Sequence, residues 1–219
     1  MARKALIAGA VILLIAAFGI GVYVDQRNRA GVPAASAAPA IDPSALVRFH
    51  SPTLGEADAR VHIVEFFDPA CGTCRDFYPF VKRLMAANPG KIRLTLRYAP
   101  FHKGSDEVVK LLEAARKQGK LWPALEALLA AQEQWTVQHV ARVDLALPLV
   151  ARLGLTMEQL RQDMQSPALD ELVRQDLKDA AALDVAQTPE FFVNGKPLPS
   201  FGYDELKALV ERALRENYG

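Results

Sequence analysis

Residues 61–74 read VHIVEFFDPACGTC, a run of β-branched and aromatic residues that ends, after Asp-Pro-Ala, in two cysteines three apart. Such a run predicts a buried strand over 61–67. From Gly72 to Ala87 the apolar positions change period: Phe77, Phe80/Val81 and Leu84/Met85 recur at helical spacing. Asn-Pro-Gly at 88–90 stops that helix, and KIRLTLRY at 91–98 alternates as a strand should. The unit is β-α-β, with the cysteine pair at the junction of strand and helix.

The rest of the body follows in order. ALVRFH, 45–50, reads as a short strand, and SPTLGEADAR as a loop. Residues 104–185 give no strand signal; they read as several short helices in an inserted bundle, broken near Gly119, Trp135, Pro148 and Gly154. Thr156 and Gln159 have capping-box spacing, and Ser166-Pro167 reads as an N-cap followed by Pro at N1. Asn194-Gly195 between EFFV and KPLP is a hairpin signal. Pro197 and Pro199 confine the second hairpin strand to a sheet edge. Residues 203–216 carry Leu206, Leu209/Val210 and Ala213/Leu214 on one stripe and read as a closing amphipathic helix. No internal repeat is visible.

The N-terminus is of another kind. Residues 5–24, ALIAGAVILLIAAFGIGVYV, contain no charge. A helix of that length at ~1.5 Å per residue can cross a ~30 Å hydrocarbon core. Arg3 and Lys4 precede it, which keeps the N-terminus cytoplasmic and exports the remainder. A cleaved signal peptide is the competing reading, but Ala35-Ser36-Ala37 lies well beyond the apolar run. The expectation is a membrane anchor at 1–29, a flexible Ala/Pro linker at 30–44 with no dimerisation module, and a folded domain at 45–219, anticipated to be monomeric. That domain would sit on the extracytoplasmic side of the cell membrane, where disulfides persist. The net charge is +1 and no basic run appears, so nucleic acid is not an expected partner.

Cys71 and Cys74 are the chain's two cysteines. A bridge between them closes so short a loop that it makes a poor staple. A redox pair or half of a metal site remains. Cys71 lies where a helix begins, and unpaired N–H groups with the positive dipole end favour a thiolate there. Cys74 lies one turn deeper. Cys71 is therefore the candidate attacking and leaving sulfur and Cys74 the resolving one. Gly72 and Thr73 between them tune the redox poise without adding charge. Arg75 either supports the thiolate or is an ordinary solvated side chain. Zinc would need two more ligands, and His50, His62, His102 and His139 are scattered, with no H-x3-5-H pair. Copper held by the two sulfurs and a distant His stays open on soft-ligand grounds. Glu65 interrupts the apolar strand. Pattern alone favours a side chain that reaches solvent; the functional alternative is a carboxylate that takes the proton of Cys74. His62 and His102 read as packing or surface groups, and Asp68 as a helix cap or a charge opposing the thiolate.

Taken together, VHIVEFFDPACGTC, RLTLRYAPFH, the helical insertion, QTPEFFVNGKP and the final helix resemble the DsbA-like branch of the thioredoxin superfamily over about residues 45–217. The resemblance implies a thioredoxin-like α/β fold with an inserted helical subdomain. It also implies a thiol:disulfide oxidoreductase with no cofactor beyond a redox-active Cys71–Cys74 disulfide. Residue by residue, Cys71 matches the exposed nucleophile and Cys74 its buried partner. Pro189 matches the cis-proline facing the pair, Thr188 the residue that pairs with a bound substrate strand, and Glu65 the buried acidic residue. The implied partners are exported proteins with thiols or disulfides, and a membrane redox partner. The Gly-Thr dipeptide departs from the Pro-His of strong oxidases and leaves the direction of electron flow open. An isomerase or reductant kept reduced by a membrane partner is the alternative within the class.

Overall fold

The computed structural model describes residues 43–219. The anchor expected at 1–29, with its apolar span 5–24, and nearly all of the linker expected at 30–44 lie outside the described residues. Among the described residues no helix is long and apolar enough to cross a membrane. A five-stranded sheet of order β1-β3-β2-β6-β7 organises the domain. Its strands are β1 (Thr53–Leu54), β2 (Val61–Phe67), β3 (Ile92–Tyr98), β6 (Glu190–Val193) and β7 (Lys196–Pro197).

Strand β2 pairs with β3 in parallel and with β6 antiparallel. Six of its seven residues are buried, which explains a near-continuous apolar run in place of an alternating one. The crossover from β2 to β3 is the helix α2 (Gly72–Ala87), placed as the apolar spacing predicts. Asn194 and Gly195 turn the chain from β6 into β7 with φ of 48° and 78°. Positive φ at both central residues is what a tight I′ hairpin requires, and Asn-Gly is the pair that tolerates it. Pro197 then falls in the outermost strand, where its missing N–H costs no ladder bond. The last helix, α9 (Tyr203–Tyr218), buries Leu206, Leu209, Val210 and Ala213.

Between β3 and β6 lies the helical insertion: α3 (Ser105–Lys117), α4 (Leu121–Ala130), α5 (Gln132–Trp135), α6 (Val143–Val150), a 3-10 turn (Ala151–Leu153), α7 (Met157–Met164) and α8 (Pro167–Ala182). Its core is continuous with one face of the sheet: Leu111, Leu125 and Trp135 belong to the same buried cluster as Ile63, Phe67, Cys74 and Phe77. The opposite sheet face buries Val64, Phe66 and Phe192 with Leu46 and Ala180.

Several local expectations need correction. ALVRFH is not a strand: Pro43–Leu46 forms a helical turn, α1, which begins within the expected linker. Val47 and Phe49 are exposed, and the edge position is taken by Thr53–Leu54, paired with Thr95 and Leu94. The arm is held by charge instead. Arg48 donates to Asp179 at 2.8 and 2.6 Å, and the fully buried Arg97 bonds to the Ala45 carbonyl. The insertion contains a small hairpin, β4 (Thr136–Val137) with β5 (Val140–Ala141). It was invisible because two-residue strands lie below any periodicity window and Gln138 and His139, not Gly or Asn, adopt the positive φ of its turn. Pro148 does not break a helix but sits inside α6. The Thr156–Gln159 capping box does not form. Gln118 clamps Thr156 in its place, accepting from its N–H at 2.9 Å and donating to its carbonyl at 3.2 Å. Ser166 is the N-cap of α8 with Pro167 following, but its hydroxyl makes no cap bond.

Asp176 of α8 ties insertion to sheet. It accepts from Arg97 Nε and Nη2 at 3.2 and 2.8 Å and from the Tyr98 N–H at 2.8 Å, and lies 2.7 Å from His50 Nε2. Asp179 shares Arg97 at 2.6 Å. Removing one partner of a buried ion network leaves an uncompensated charge. Asp176→Ala should therefore lose about 3–5 kcal/mol of unfolding free energy in urea titration. A loss below about 1 kcal/mol would mean that desolvation already cancels the network's attraction.

Candidate active site

Each side chain of the site is placed by β2 or by the elements next to it. Odd positions Ile63, Glu65 and Phe67 share a sheet face because side chains alternate along a strand. Ile63 and Phe67 lie in the cluster that also holds Cys74, Phe77, Tyr78 and Val81 of α2. Glu65 therefore sits under the cysteine helix, not toward solvent, and it is fully buried. Neither of its carboxyl oxygens has a hydrogen-bond partner. Burial pushes its pKa well above the ordinary carboxylate range, and the nearby Cys71 charge pushes it further.

Cys71 is the N-cap of α2, with φ −76° and ψ 121°. Its Sγ accepts from the Cys74 backbone N–H at 3.4 Å, the geometry that an N-cap oxygen adopts elsewhere. As a thiol it donates to the Thr188 carbonyl at 3.2 Å. The Cys71 pKa is brought down to about 5. A hydrogen bond from the Cys74 thiol is the largest cause; partial burial opposes it, and hydrogen bonds from the Thr188 side chain and from the Cys74 and Thr73 amides add to it. The Cys74 thiol moves the other way. Burial pushes it well above the ordinary value, and its hydrogen bond to Cys71 and the Glu65 charge push further. Both thiols are free in this structure. Cys71 is less open than its resemblance to an exposed nucleophile implied: it is 6 % exposed, against 0 % for Cys74.

Thr188 and Pro189 reach the pair through register. Phe66 of β2 pairs with Glu190 at the start of β6, so the two residues before Glu190 fall beside the end of β2 where the motif begins. The Thr188–Pro189 peptide bond is cis. Gly72 and Thr73 form the first turn of α2. A Cβ at Gly72 would meet only Gln132 Oε1, at 3.9 Å, so packing does not require glycine there.

Asp68 neither caps α2 nor faces solvent. It is fully buried and accepts from the Ala70 N–H at 2.9 Å, the His102 N–H at 2.9 Å, His102 Nδ1 at 2.7 Å and the Ser105 hydroxyl. His102 thus lies closer to the motif loop than the sequence suggested. His62 does not join the site: its Nε2 lies 2.7 Å from Thr95 Oγ1, and burial followed by the Arg93 charge brings its pKa down to about 4. Arg75 is held by Asp76 and Glu133 at 3.0 and 3.2 Å on the surface. Gln132 was missed altogether. It is buried in the insertion and donates through Nε2 to the Pro69 and Cys71 carbonyls at 2.8 and 3.0 Å. A glutamine in a helical segment carries no signal that could have singled it out. Among the described residues no group of three His, Cys, Asp or Glu side chains is arranged to hold a metal ion.

A thioredoxin family match covers residues 48–212. Among named relatives, a probable disulfide bond formation protein D of Bacillus anthracis is 30 % identical over 75 % of this chain and 78 % of its own length. A Na(+)/H(+) antiporter NhaA of Herminiimonas arsenicoxydans is 32 % identical over 74 % of this chain, which spans only 25 % of that relative's length. Among solved structures, a thioredoxin-like oxidoreductase from Silicibacter pomeroyi superimposes with a TM-score of 0.69 at 31 % identity, covering 80 % of this chain and 98 % of that one.

Two pH effects of opposite sign follow from the site. Cys71 ionises near pH 5 when folded and near ~8.5 when unfolded. Between those values the unfolded chain holds the extra proton, so the reduced fold gains stability as pH rises and loses it as pH falls through about 5. Glu65, with its folded pKa raised, costs stability as pH rises above its unfolded value of ~4.3. Glu65→Leu should therefore stabilise the fold at pH 7 by about 1–3 kcal/mol, since it removes two orphaned buried oxygens. In that background the rise between pH 7 and 8 should belong to Cys71, because His62, lowered to about 4 in the fold, adds its gain only below its unfolded value of ~6.5. Urea titrations of the reduced protein from pH 4 to 9 measure both; stability that stays flat between pH 7 and 8 in Glu65→Leu would contradict the Cys71 assignment.

Proposed function

The chain belongs to the thioredoxin family, among its DsbA-like thiol:disulfide oxidoreductases, and on that premise we propose that it donates a disulfide to exported proteins through Cys71. The observation that carries the direction is the stabilised Cys71 thiolate: its Sγ caps α2 and its pKa lies at about 5. A dithiol whose thiolate is stabilised favours its reduced form, so the matching disulfide is oxidising and Cys71 is a good leaving group. The Gly-Thr dipeptide brings no positive charge, and backbone and thiol hydrogen bonds supply the stabilisation that a histidine would give elsewhere.

In the proposed cycle a client thiolate attacks Cys71 Sγ of the Cys71–Cys74 disulfide. The bond to Cys74 breaks, and the Cys74 sulfur takes the electron pair. Its high pKa makes it a proton acceptor, and Glu65, held protonated by burial, is the proton donor beneath it. A second client thiolate then attacks the client sulfur of the mixed disulfide and expels Cys71 as thiolate. Two electrons pass from client to enzyme, and a membrane redox partner of the disulfide or quinone class takes them on to regenerate the disulfide. Thr188, beside Cys71, offers main-chain groups to an extended client segment. Such pairing depends little on client sequence and suits varied substrates. Residues 5–24 hold the enzyme at the outer face of the cell membrane by a single span.

Cys74→Ser should accumulate mixed disulfides through Cys71, visible on non-reducing gels of the envelope fraction and absent from the double variant with Cys71→Ser. Clients recovered with cysteines normally paired in disulfides support the donating direction; clients recovered only after misoxidation point to isomerase or reductant activity. Fractionation of the same cells should find the protein in the membrane with Arg3 and Lys4 still attached. A soluble product beginning near Ala38 would replace the anchor by a cleaved signal.

A further inference from the structure

Gln132 belongs to the helical insertion, 61 residues after Cys71, yet it bonds to the motif loop. Its side chain is buried, 3 % exposed. One carboxamide nitrogen bridges two carbonyls, those of Pro69 and Cys71, at 2.8 and 3.0 Å. The Cys71 carbonyl also accepts from the Arg75 N–H at 3.1 Å, the first backbone bond of α2. Gln132 thus holds the peptide from which the motif helix starts.

The insertion fixes Gln132 independently of the cysteines. Helix α4 ends at Ala130, and the short turn α5 that follows is pinned by Trp135, fully buried with its indole N–H donating to the Leu128 carbonyl at 2.8 Å. The Thr136 hydroxyl donates to the Gln132 carbonyl at 2.7 Å. The carboxamide therefore enters the motif loop from a rigid element. It stands at the inner wall of a cleft of about 820 Å³ between α2 and the insertion, which Arg75, Tyr78 and Glu133 also line.

We propose that Gln132 is a positioning residue for the reactive sulfur: by clamping the Pro69 and Cys71 carbonyls it orients the first turn of α2 so that the Thr73 and Cys74 amides face Cys71 Sγ. Peptide planes are rigid, so fixing the Cys71 carbonyl fixes the amide of Gly72 and limits the turn that follows. Without the carboxamide both carbonyls lose a buried donor and the loop must rotate to find another. The amides then drift from the sulfur. The inference rests on the reading of Cys71 as the nucleophile, and it makes the insertion part of what sets the reactivity of the pair.

The test compares Gln132→Met, which keeps the side-chain length but has no N–H, with Leu125→Ala, a truncation of a fully buried side chain in α4 that removes no hydrogen bond from the loop. Thiolate absorbance at 240 nm and the rate of Cys71 alkylation are followed from pH 4 to 9 in the reduced protein, and oxidised and reduced forms are each unfolded in urea. In Gln132→Met the Cys71 ionisation should move up by about one unit, so alkylation at pH 5 falls about fivefold while the rates converge with wild type at pH 8. The reduced form should lose more stability than the oxidised form. Leu125→Ala should lower stability in both forms and leave the ionisation in place. Wild-type ionisation in Gln132→Met, or an equal shift in Leu125→Ala, overturns the clamp. A wild-type Cys71 that ionises near ~8.5 would overturn the functional reading instead; the clamp is judged by the difference between Gln132→Met and wild type in either case.

Discussion

Strand β2 is paired along both edges and covered on both faces, and the site takes its geometry from that confinement. Parallel pairing with β3 demands a crossover, and the crossover is the helix whose first turn carries the cysteines. Antiparallel pairing with β6 brings Thr188 and Pro189 to the same end of the sheet. Alternation along β2 sends Glu65 to the face under α2. A slip of one residue in the β2–β6 register would turn the β6 side chains to the opposite faces and move Thr188 away from Cys71. The register is held by Ile63, Val64 and Phe66 on the strand and by Phe191, Phe192 and Val193 across from them, all buried.

Confinement also separates the two sulfurs chemically. They are three residues apart on one helical turn, yet one is brought down to about 5 and the other is pushed well above an ordinary thiol. Cys71 accepts a hydrogen bond from the Cys74 thiol and, as the cap of the helix, from its amides, whereas Cys74 is raised first by its burial in the core. Glu65 is costly to the fold, because a buried carboxyl without a hydrogen bond forfeits its hydration. Packing alone does not account for its place under the cysteine helix.

The helical insertion is more than a lid of matching core. Asp176 and Asp179 of α8 neutralise the fully buried Arg97 of β3, and Arg48 and His50 bring the N-terminal arm into the same network. On the other side Gln132 reaches the motif loop. Insertion and sheet therefore share polar contacts as well as an apolar interface, and a disturbance in the insertion can reach the cysteines through a defined pair of hydrogen bonds.

The sequence by itself determined the elements whose cause is local. The strand 61–67, the helix from Gly72 to Ala87, the Asn194-Gly195 turn and the closing helix all follow from short-range period, stop signals and backbone preference. So does the position of Cys71 and Cys74 at the start of that helix, since spacing and strand-to-helix junction are both readable. Other features needed the tertiary structure. Glu65 reads as a solvent-facing interruption until the strand is covered on both faces. His102, Ser105 and Gln132 look like ordinary helix or loop residues until folding brings them to Asp68 and to the motif carbonyls, 34 to 63 residues away along the chain. The arm at 45–50 reads like a short strand, but long-range ion pairs to α8 hold it elsewhere and leave the sheet edge to Thr53–Leu54. Local preference acts over a few residues, and desolvation and charge pairing act through space; the depth of Glu65, the separation of the two thiols and the reach of Gln132 belong to the second kind.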